Sequence, residues 1–455
     1  MLKSILLLLS TLLPAALYGQ ALSKADVLTD LKYLNQAILH GHPTNFQPAQ
    51  TTDLGTLVAQ TEALPQDSLT AFQYLLLLGE ALQKVGCVHT SLNNPWANRP
   101  RPARYVPFPL VADQGKLYLQ SLAGDTIRHE EVVAINGVRA ERLLTDLLKL
   151  RASDGGTQAF ALEYFNRFAS SLIATYLDYP TQYELQFNSR TSTHPAAEKV
   201  VPVLRPKGTY EIILARDDNT FSVLDTLGVL RVSTFGKADA AFFRSVFSSI
   251  REKPLKYLVL DLRGNLGGNR KAAIVLTQQL VGTSFSYAIL QPRLTPARYL
   301  NGRGKLYLGL SKIKYNLGDF YRSKRTPLGR TFTYRYKPDR NPYRGELFVL
   351  TDGFTASAST MVTSWLKQHT QARFIGQQAS GGYNGNNGGS FPMLTLPKSK
   401  AEIRFPAYRL ILDPRSDFRA GILPDYHLGV APTPIHQDPA LQLVIRLLAR
   451  SKAAP

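Results

Sequence analysis

Residues Tyr257–Gly268 read YLVLDLRGNLGG, and this stretch decides the fold. Its first six residues are apolar except for Asp261, and a short apolar run closed by a turn signal predicts a fully buried strand. The glycines that follow predict a tight turn that opens a helix. Ala273, Leu276 and Leu280 recur at helical spacing and give that helix its apolar face.

The same arrangement recurs downstream. Residues 346–351 predict a second apolar strand, and a helix with Ala358, Met361 and Trp365 on one face follows it. Residues 373–376 predict a third strand. Alternation of strand, helix and strand predicts a parallel sheet with crossover helices.

The glycine-rich turn at residues 263–268 is a candidate anion site. Glycines let backbone N–H groups face a ligand, and a helix N-terminus favours a negative charge. An oxyanion of acyl transfer and a phosphate would both suit, although the turn matches neither the Walker A loop nor GxGxxG. A purely structural strand-to-helix turn is the alternative interpretation.

A second candidate site is the segment Thr355–Ser359, which reads TASAS between a predicted strand and a predicted helix. Ser357 would stand at the helix N-terminus, where the N–H of Ala358 could point at a developing oxyanion. Taken by itself, the segment favours serines that only cap the helix. The absence of a GxSxG pattern argues against an α/β-hydrolase.

The remaining titratable candidates are weaker. His89 is a single histidine in the segment Gly86–Thr90, where a structural role is the more common one. Cys87 is the only cysteine, which excludes an internal disulfide, and we interpret it as a buried free thiol rather than a nucleophile. The eight histidines form no recognised metal-binding pattern, so we predict neither a metal nor a cofactor.

Composition divides the chain into five regions. Residues 1–20, with Lys3 ahead of an apolar run, predict a signal peptide and therefore an exported protein, periplasmic or secreted, with no membrane span after cleavage. We predict a helical N-terminal region at 21–102, a β-rich element at 103–150, an α/β domain at 151–435 and a closing helix at 436–455.

Charge is concentrated in one part of the α/β domain. The whole chain has a formal net charge of +20, and residues 286–344 form a basic, tyrosine-rich insertion. Basic and aromatic residues together could bind nucleic acid. No nucleic-acid motif accompanies them, so we expect no nucleic acid and predict a lid or substrate wall instead.

These motifs, in this order, resemble peptidase family S41, which contains the C-terminal-processing or tail-specific proteases and the tricorn core. The matching pieces are Gly86–Thr90, the Ile135–Gly137 turn, Asp261–Gly268, Thr355–Ser359 and Gly421–Asp425. The resemblance implies a multidomain α+β and α/β fold. It would comprise a helical N-terminal region, a PDZ-like β-rich element and a ClpP/crotonase-like catalytic domain with a crossover-connected sheet.

The resemblance also implies a serine-type peptidase that acts on polypeptides without a cofactor. Ser357 would be the nucleophile that carries the acyl group. Ala358, with Gly267 or Gly268, would donate the N–H groups of the oxyanion hole.

The base differs between the branches of the family. Gly382 occupies the place of the tail-specific lysine, so the tricorn-type histidine, here His89, is the predicted base. Asp417 is the nearest candidate for its acid partner and Asp413 the next. The departures at Gly382 and Thr360 leave a second hypothesis open, an inactive family member that binds peptides or envelope polymers.

Overall fold

The computed structural model describes residues 21–46, 52–93, 102–206, 219–292, 296–318 and 320–453. The predicted signal peptide, residues 1–20, lies outside the described residues. None of the helices in the described ranges is long and apolar enough to cross a membrane.

The α-helices of the described residues alternate with the strands along most of the chain. They are α1 (Lys24–Gly41), α2 (Gly55–Glu62), α3 (Ala71–Val85), α4 (Ala140–Leu147), α5 (Ala159–Tyr176), α6 (Asp239–Glu252), α7 (Arg270–Leu280), α8 (Gly302–Gly318), α9 (Ala358–His369) and α10 (Pro439–Ala453).

The strands up to residue 231 belong mainly to the N-terminal and β-rich parts. They are β1 (Leu22–Ser23), β2 (Ser68–Leu69), β3 (Ser91–Leu92), β4 (Leu110–Asp113), β5 (Lys116–Ala123), β6 (Thr126–Val132), β7 (Ala134–Ile135), β8 (Val138–Arg139), β9 (Gln182–Gln186), β10 (Thr191–Pro195), β11 (Thr220–Leu224) and β12 (Leu227–Arg231).

The later strands build the two largest sheets and close the smaller ones. They are β13 (Tyr257–Asp261), β14 (Phe285–Pro292), β15 (Ser323–Thr326), β16 (Gly329–Tyr336), β17 (Glu346–Thr351), β18 (Arg373–Gly376), β19 (Gly385–Asn387), β20 (Met393–Thr395), β21 (Glu402–Arg404), β22 (Arg409–Ile411), β23 (Tyr426–His427) and β24 (Thr433–Pro434).

A six-stranded sheet in the order β11-β12-β13-β17-β18-β23 forms the centre of the α/β part. Strand β11 is antiparallel to its neighbour, and the other pairs are parallel. Successive side chains of β13 point to opposite faces. Leu258 and Leu260 join a core with α6, α7 and α9, whereas Val259 joins a core with α10. The predicted strands at 257–262, 346–351 and 373–376, and the helices after the first two, are therefore confirmed.

The basic segment 286–344 is built into the structure rather than added to its surface. It supplies most of β14 and all of β16 to a five-stranded antiparallel sheet in the order β15-β16-β14-β22-β19. Tyr287 and Tyr334 are buried and stack at 4.8 Å between ring centroids, and Trp365 of α9 packs 6.3 Å from Tyr287. In the described part of this segment, α8 exposes the apolar side chains of Leu306, Leu310 and Ile313.

The β-rich element has a core of its own that extends past the predicted boundary at residue 150. Buried residues from Val106 to Phe187 form one cluster, and Phe165, Leu172 and Ile173 of α5 belong to it. The apolar face of α5 thus continues this element, whereas α1–α3 share the core of the central sheet. The boundaries between these parts of the fold depend on which side chains pack together, and sequence composition does not give that information.

Candidate active site

Two loops that are far apart in the sequence meet at one edge of the central sheet. Strands β13 and β17 are parallel neighbours, so the loops that follow them leave the sheet side by side. The Asn265 carbonyl accepts hydrogen bonds from Ala356 N–H at 3.2 Å and from the Ser359 hydroxyl at 2.8 Å. The Thr355 hydroxyl donates to the Leu262 carbonyl at 3.0 Å. The glycine-rich turn and the serine segment therefore form one unit.

Ser357 has an unusual backbone conformation at the start of α9. Its φ of 58° and ψ of −117° lie outside the regions that non-glycine residues favour. Its side chain makes no capping hydrogen bond to α9, so Ser357 does not play the capping role that the segment alone suggested. Strained residues of this kind cluster at active sites and are held there by the surrounding structure.

The glycines opposite Ser357 fit closely against it. A methyl group on Gly267 would lie 2.7 Å from both Ser357 Cβ and Ala358 N. Gly267 also has a φ of 95°, which favours glycine. Position 267 therefore requires glycine for both its conformation and its contacts.

The backbone N–H groups near Ser357 differ in whether they already donate a hydrogen bond. The Gly267 N–H donates to Asn265 Oδ1 at 2.8 Å, so its hydrogen bond is already made within the turn. No described residue accepts a hydrogen bond from the N–H of Gly268 or of Ala358. These two groups are the free donors that an oxyanion would need.

A buried ion network fixes the base of the turn. The Arg263 guanidinium donates to Asp261 at 2.7 Å and to Asp438 at 2.6 Å. Asp438 also accepts from the Ala440 N–H at the start of α10 at 2.9 Å. Arg263 thus connects the end of β13 to the C-terminal helix beneath the site.

His89 lies in a buried turn between α3 and β3. Its side chain is 7% exposed, and its ring stacks on Phe391 at 5.3 Å with a 13° interplanar angle. Arg404 in turn packs over Phe391 at 3.8 Å. Burial, with the positive charge of Arg404 second, lowers the pKa of His89 to about 3. The imidazole is therefore neutral at pH 7 and has a lone pair to accept a proton.

Asp154 is the residue beside His89 that sequence reasoning missed. Its carboxylate accepts from Val88 N–H at 2.9 Å and from Gly382 N–H at 3.0 Å. Burial raises its pKa to about 6. One ligand-type atom from each of Cys87, His89 and Asp154 lies within 4.8 Å of the others. The sequence signal was Asp-Gly-Gly, whose two glycines both have positive φ.

A loop at residues 380–382 connects the histidine side to the serine side. Asp154 N–H donates to the Ser380 carbonyl at 2.9 Å, while Ser380 N–H donates to the Thr355 carbonyl at 3.2 Å. Among the described residues, no hydrogen bond joins Ser357 Oγ to His89. The structure thus links the two through the loop rather than by direct contact.

Gly382 cannot carry a side chain in this conformation. A Cβ there would lie against the carbonyl oxygens of Arg419 and Gly385. Its N–H is already bonded to Asp154. Backbone packing therefore explains why a glycine stands at position 382, where the resemblance to the tail-specific branch would place a lysine.

The two acids proposed from sequence lie elsewhere. Asp417 is exposed, and its charge acts on Arg419. Asp413 is buried and pairs with Arg415 at 3.0 Å. Among the described residues, neither makes a hydrogen bond or ion pair with His89, whereas Asp154 lies beside it.

The glycine-rich turn and the serine segment both lie in a part of the chain that matches a known protein family. The family model of peptidase family S41 matches residues 226–428, which include both loops of the site. Residues 226–428 form a domain of peptidase family S41. This match supports a peptidase, a class of hydrolases.

Two solved structures of CPAF have a similar fold to this chain. Mature CPAF complexed with lactacystin is 13% identical, with a TM-score of 0.56 and coverage of 89% of this chain and 94% of that chain. Mature CPAF alone is 13% identical, with a TM-score of 0.55 and coverage of 89% and 93%. The photosystem II D1 C-terminal processing protease is 14% identical over 89% and 92%, with a TM-score of 0.39. Comparison with curated proteins finds no match.

Proposed function

We propose that the chain is an exported serine-type peptidase that cleaves polypeptides through an acyl-enzyme on Ser357. The observation that carries the proposal is the strained Ser357, with a φ of 58°, held against Gly267 at the N-terminus of α9. A serine in this position has free backbone donors on both sides of it. Nucleophilic serines need such an arrangement to stabilise the tetrahedral intermediate.

The reaction has two halves. Ser357 Oγ attacks the carbonyl carbon of the peptide bond while His89 takes the hydroxyl proton, and the N–H groups of Gly268 and Ala358 stabilise the oxyanion. The C–N bond then breaks, and the leaving amine takes the proton from His89. Water then attacks the ester carbonyl carbon while His89 accepts one of its protons. The bond from that carbon to Ser357 Oγ breaks, His89 returns the proton to Oγ, and the carboxylic acid product leaves.

Asp154 replaces Asp417 in this proposal as the carboxylate that acts on His89. Its buried position within 4.8 Å of the histidine supports a role in stabilising the imidazolium form. Catalytic hydrogen bonds tighten on substrate binding in many enzymes, so Ser357 and His89 need not be bonded in the free chain.

The proposal also includes two features of the fold and the export of the protein. We retain the PDZ-like character of the β-rich element, the ClpP/crotonase-like character of the catalytic domain and export by the 1–20 segment. The antiparallel strands β4–β6, followed by the Asn136–Gly137 turn and α4, support the first of these.

The helix α8 is the proposed substrate wall. Leu306, Leu310 and Ile313 recur along one face and are 66%, 59% and 54% exposed. Tyr307, the residue after Leu306, acts electrostatically on Arg404, which packs over the Phe391 ring that stacks on His89. An extended polypeptide entering the site would therefore meet this apolar face.

An inactive polypeptide-binding protein is the alternative. It is favoured by the missing Ser357–His89 hydrogen bond among the described residues and by the low pKa of His89, about 3, which makes the imidazole a weak base. The exposed face of α8 would serve binding equally well.

The test is cleavage of a fluorescent unfolded polypeptide, together with labelling by a fluorophosphonate. Wild type should cleave and be labelled, Ser357→Ala should do neither, and His89→Ala should lose most of both. Ser245→Ala and His40→Ala, at exposed positions, are the matched controls. Labelling that persists in Ser357→Ala would reject the assigned nucleophile. A folded wild type that is neither active nor labelled would favour the inactive alternative.

A further inference from the structure

Cys87, His89 and Asp154 form a buried cluster whose composition is that of a metal site. One ligand atom from each lies within 4.8 Å of the other two, and all three residues are buried. Thiolate, imidazole and carboxylate are the three ligand types of protein zinc sites. Cys87 and His89 are only two residues apart, and a turn closed by Thr90 N–H to the Cys87 carbonyl at 3.0 Å brings them together.

A second, independent observation points to a ligand here. The His89 side chain is 93% buried, and its Nδ1 has no hydrogen-bond partner among the described residues. The nearby Asn387 Oδ1 is also buried without a partner. Buried polar atoms are almost always paired, so atoms left without partners call for an ion, a water or a ligand.

We propose that Cys87, His89 and Asp154 bind a divalent transition-metal ion of the Zn²⁺ class. A mixed sulfur, nitrogen and oxygen set suits Zn²⁺ or Co²⁺ and does not suit Mg²⁺ or Ca²⁺, which prefer oxygen ligands alone. Three protein ligands leave a fourth position open, next to Asn387.

The surrounding groups decide when such an ion can bind. Arg404 and Arg409 both act electrostatically on Cys87, and Arg409 also acts on Asp154. These cations oppose a bare dication, but they favour the thiolate and the carboxylate. The ion with both anionic ligands has no net charge, so binding requires Cys87 to lose its proton and releases that proton to solvent. Burial, with the charge of Asp154 second, raises the pKa of the Cys87 thiol to about 11, so the ion must displace that proton. The backbone N–H of His89 and the side chains of Thr90 and Asn387 lie within hydrogen-bond reach of the sulfur and partly offset this effect.

Metal binding has a consequence that rests on the proposed function. The lone pair that His89 would use to take the proton from Ser357 is the pair that binds the ion. The metal-bound chain is therefore switched off as a peptidase, and removal of the metal switches it on. The ion would act as an inhibitor of this site.

The experiment is titration of the chelator-treated mature chain with Co²⁺. A thiolate-to-Co²⁺ absorption band in the near ultraviolet, with the visible bands of tetrahedral Co²⁺, is expected at one equivalent. Cys87 is the only cysteine, so the wild-type spectrum alone assigns the ligand. Added Zn²⁺ should abolish both sets of bands. A folded wild type that shows no thiolate band at saturating Co²⁺ overturns the proposal.

Variants then test the other ligands. Asp154→Asn should bind Co²⁺ at least about tenfold more weakly, because the uncompensated charge of the ion then faces two arginines. His40→Ala, an exposed histidine, should bind as wild type does. Equal affinity in Asp154→Asn and wild type would remove Asp154 from the site. The spectra do not depend on peptidase activity, so failure of the proposed function leaves this test intact.

An activity assay completes the comparison. Zn²⁺ should inhibit cleavage by wild type. Measured relative to its own metal-free rate, Cys87→Ser should need at least about tenfold more Zn²⁺ for the same fractional inhibition. Equal inhibition of both proteins would place the inhibitory ion elsewhere.

Discussion

Gly267 and Ser357 are in such close contact that a single added methyl group would lie 2.7 Å from Ser357 Cβ. The two residues come from different loops, and the contact is made possible because β13 and β17 are adjacent and parallel. The shape of the catalytic loop therefore depends on the absence of a side chain in its neighbour.

Replacement of this glycine should disable the site. We expect Gly267→Ala to slow fluorophosphonate labelling of Ser357 by at least about 100-fold, because Ala358 N–H and Ser357 must move apart. Labelling rates at matched concentrations measure the effect. Gly115→Ala is the control, since Gly115 also has a positive φ, 78°, but nothing lies within 4 Å of the added carbon. Equal slowing in both variants would show that only strain, and no specific contact, matters.

Introduction of the tail-specific lysine should fail. We expect Gly382→Lys to destabilise the fold by about 1–3 kcal/mol, because the new side chain meets the carbonyls of Arg419 and Gly385, and to leave cleavage undetectable. Denaturant unfolding gives the loss of stability. Gly309→Lys, where nothing lies within 4 Å of the added carbon, should be neutral or stabilising. A stable and active Gly382→Lys would contradict the packing argument.

The Arg263–Asp438 pair should make stability depend on acid. Burial alone would raise the pKa of Asp438, but Arg263 and the N–H groups of Ala440 and Leu441 outweigh it, so the pKa is lowered. A carboxylate with a lowered folded pKa stabilises above its unfolded pKa, about 3.9, and that contribution is lost as pH falls through the folded pKa.

Asp438→Asn should therefore cost about 2 kcal/mol at pH 7, and the difference from wild type should shrink below about pH 4. Thermal or urea unfolding between pH 7 and pH 2 measures it. Asp417→Asn, at an exposed position, should follow the wild-type curve. A difference between Asp438→Asn and wild type that is constant with pH would show that the charge of Asp438 is unimportant.

The exposed face of α8 should matter only for long substrates. We expect Leu310→Glu to raise KM for an unfolded polypeptide about fivefold and to leave hydrolysis of a small ester unchanged. Leu224→Glu is a matched control, because Leu224 is 57% exposed and Leu310 is 59% exposed. Unchanged KM in Leu310→Glu would leave α8 without a role as a substrate wall.

The central sheet and the two loops of the candidate site could be predicted because their signals are local. Apolar runs, glycine turns and helical spacing mark β13, α7, β17 and α9 directly. The ends of neighbouring parallel strands meet at one sheet edge, so sequence alone could predict that the glycine turn lies beside Ser357.

Asp154 could not be predicted in the same way. It accepts a hydrogen bond from Gly382, 228 residues later, and the Asp-Gly-Gly sequence at Asp154 does not indicate that contact. The structure likewise changes the interpretation of the basic segment, which the sequence predicted to form a lid or substrate wall, because Tyr287 and Tyr334 are buried within a sheet. The position of Asp154 and the burial of these tyrosines both depend on contacts between residues far apart in the sequence, which a local sequence pattern does not indicate.

The pairing of strand β3, which follows His89, affects the order in which parts of the chain can fold. Strand β3 pairs only with β21 among the described strands, and the neighbouring Asn93 bonds to Glu402, 309 residues later. Asp30 holds the N–H of Ser399, 369 residues later. The described residues before position 94 therefore cannot take their final place until the residues near position 400 are available. A chain still under synthesis lacks these contacts, so the connectivity of the fold delays assembly of the candidate site until most of the polypeptide has been made.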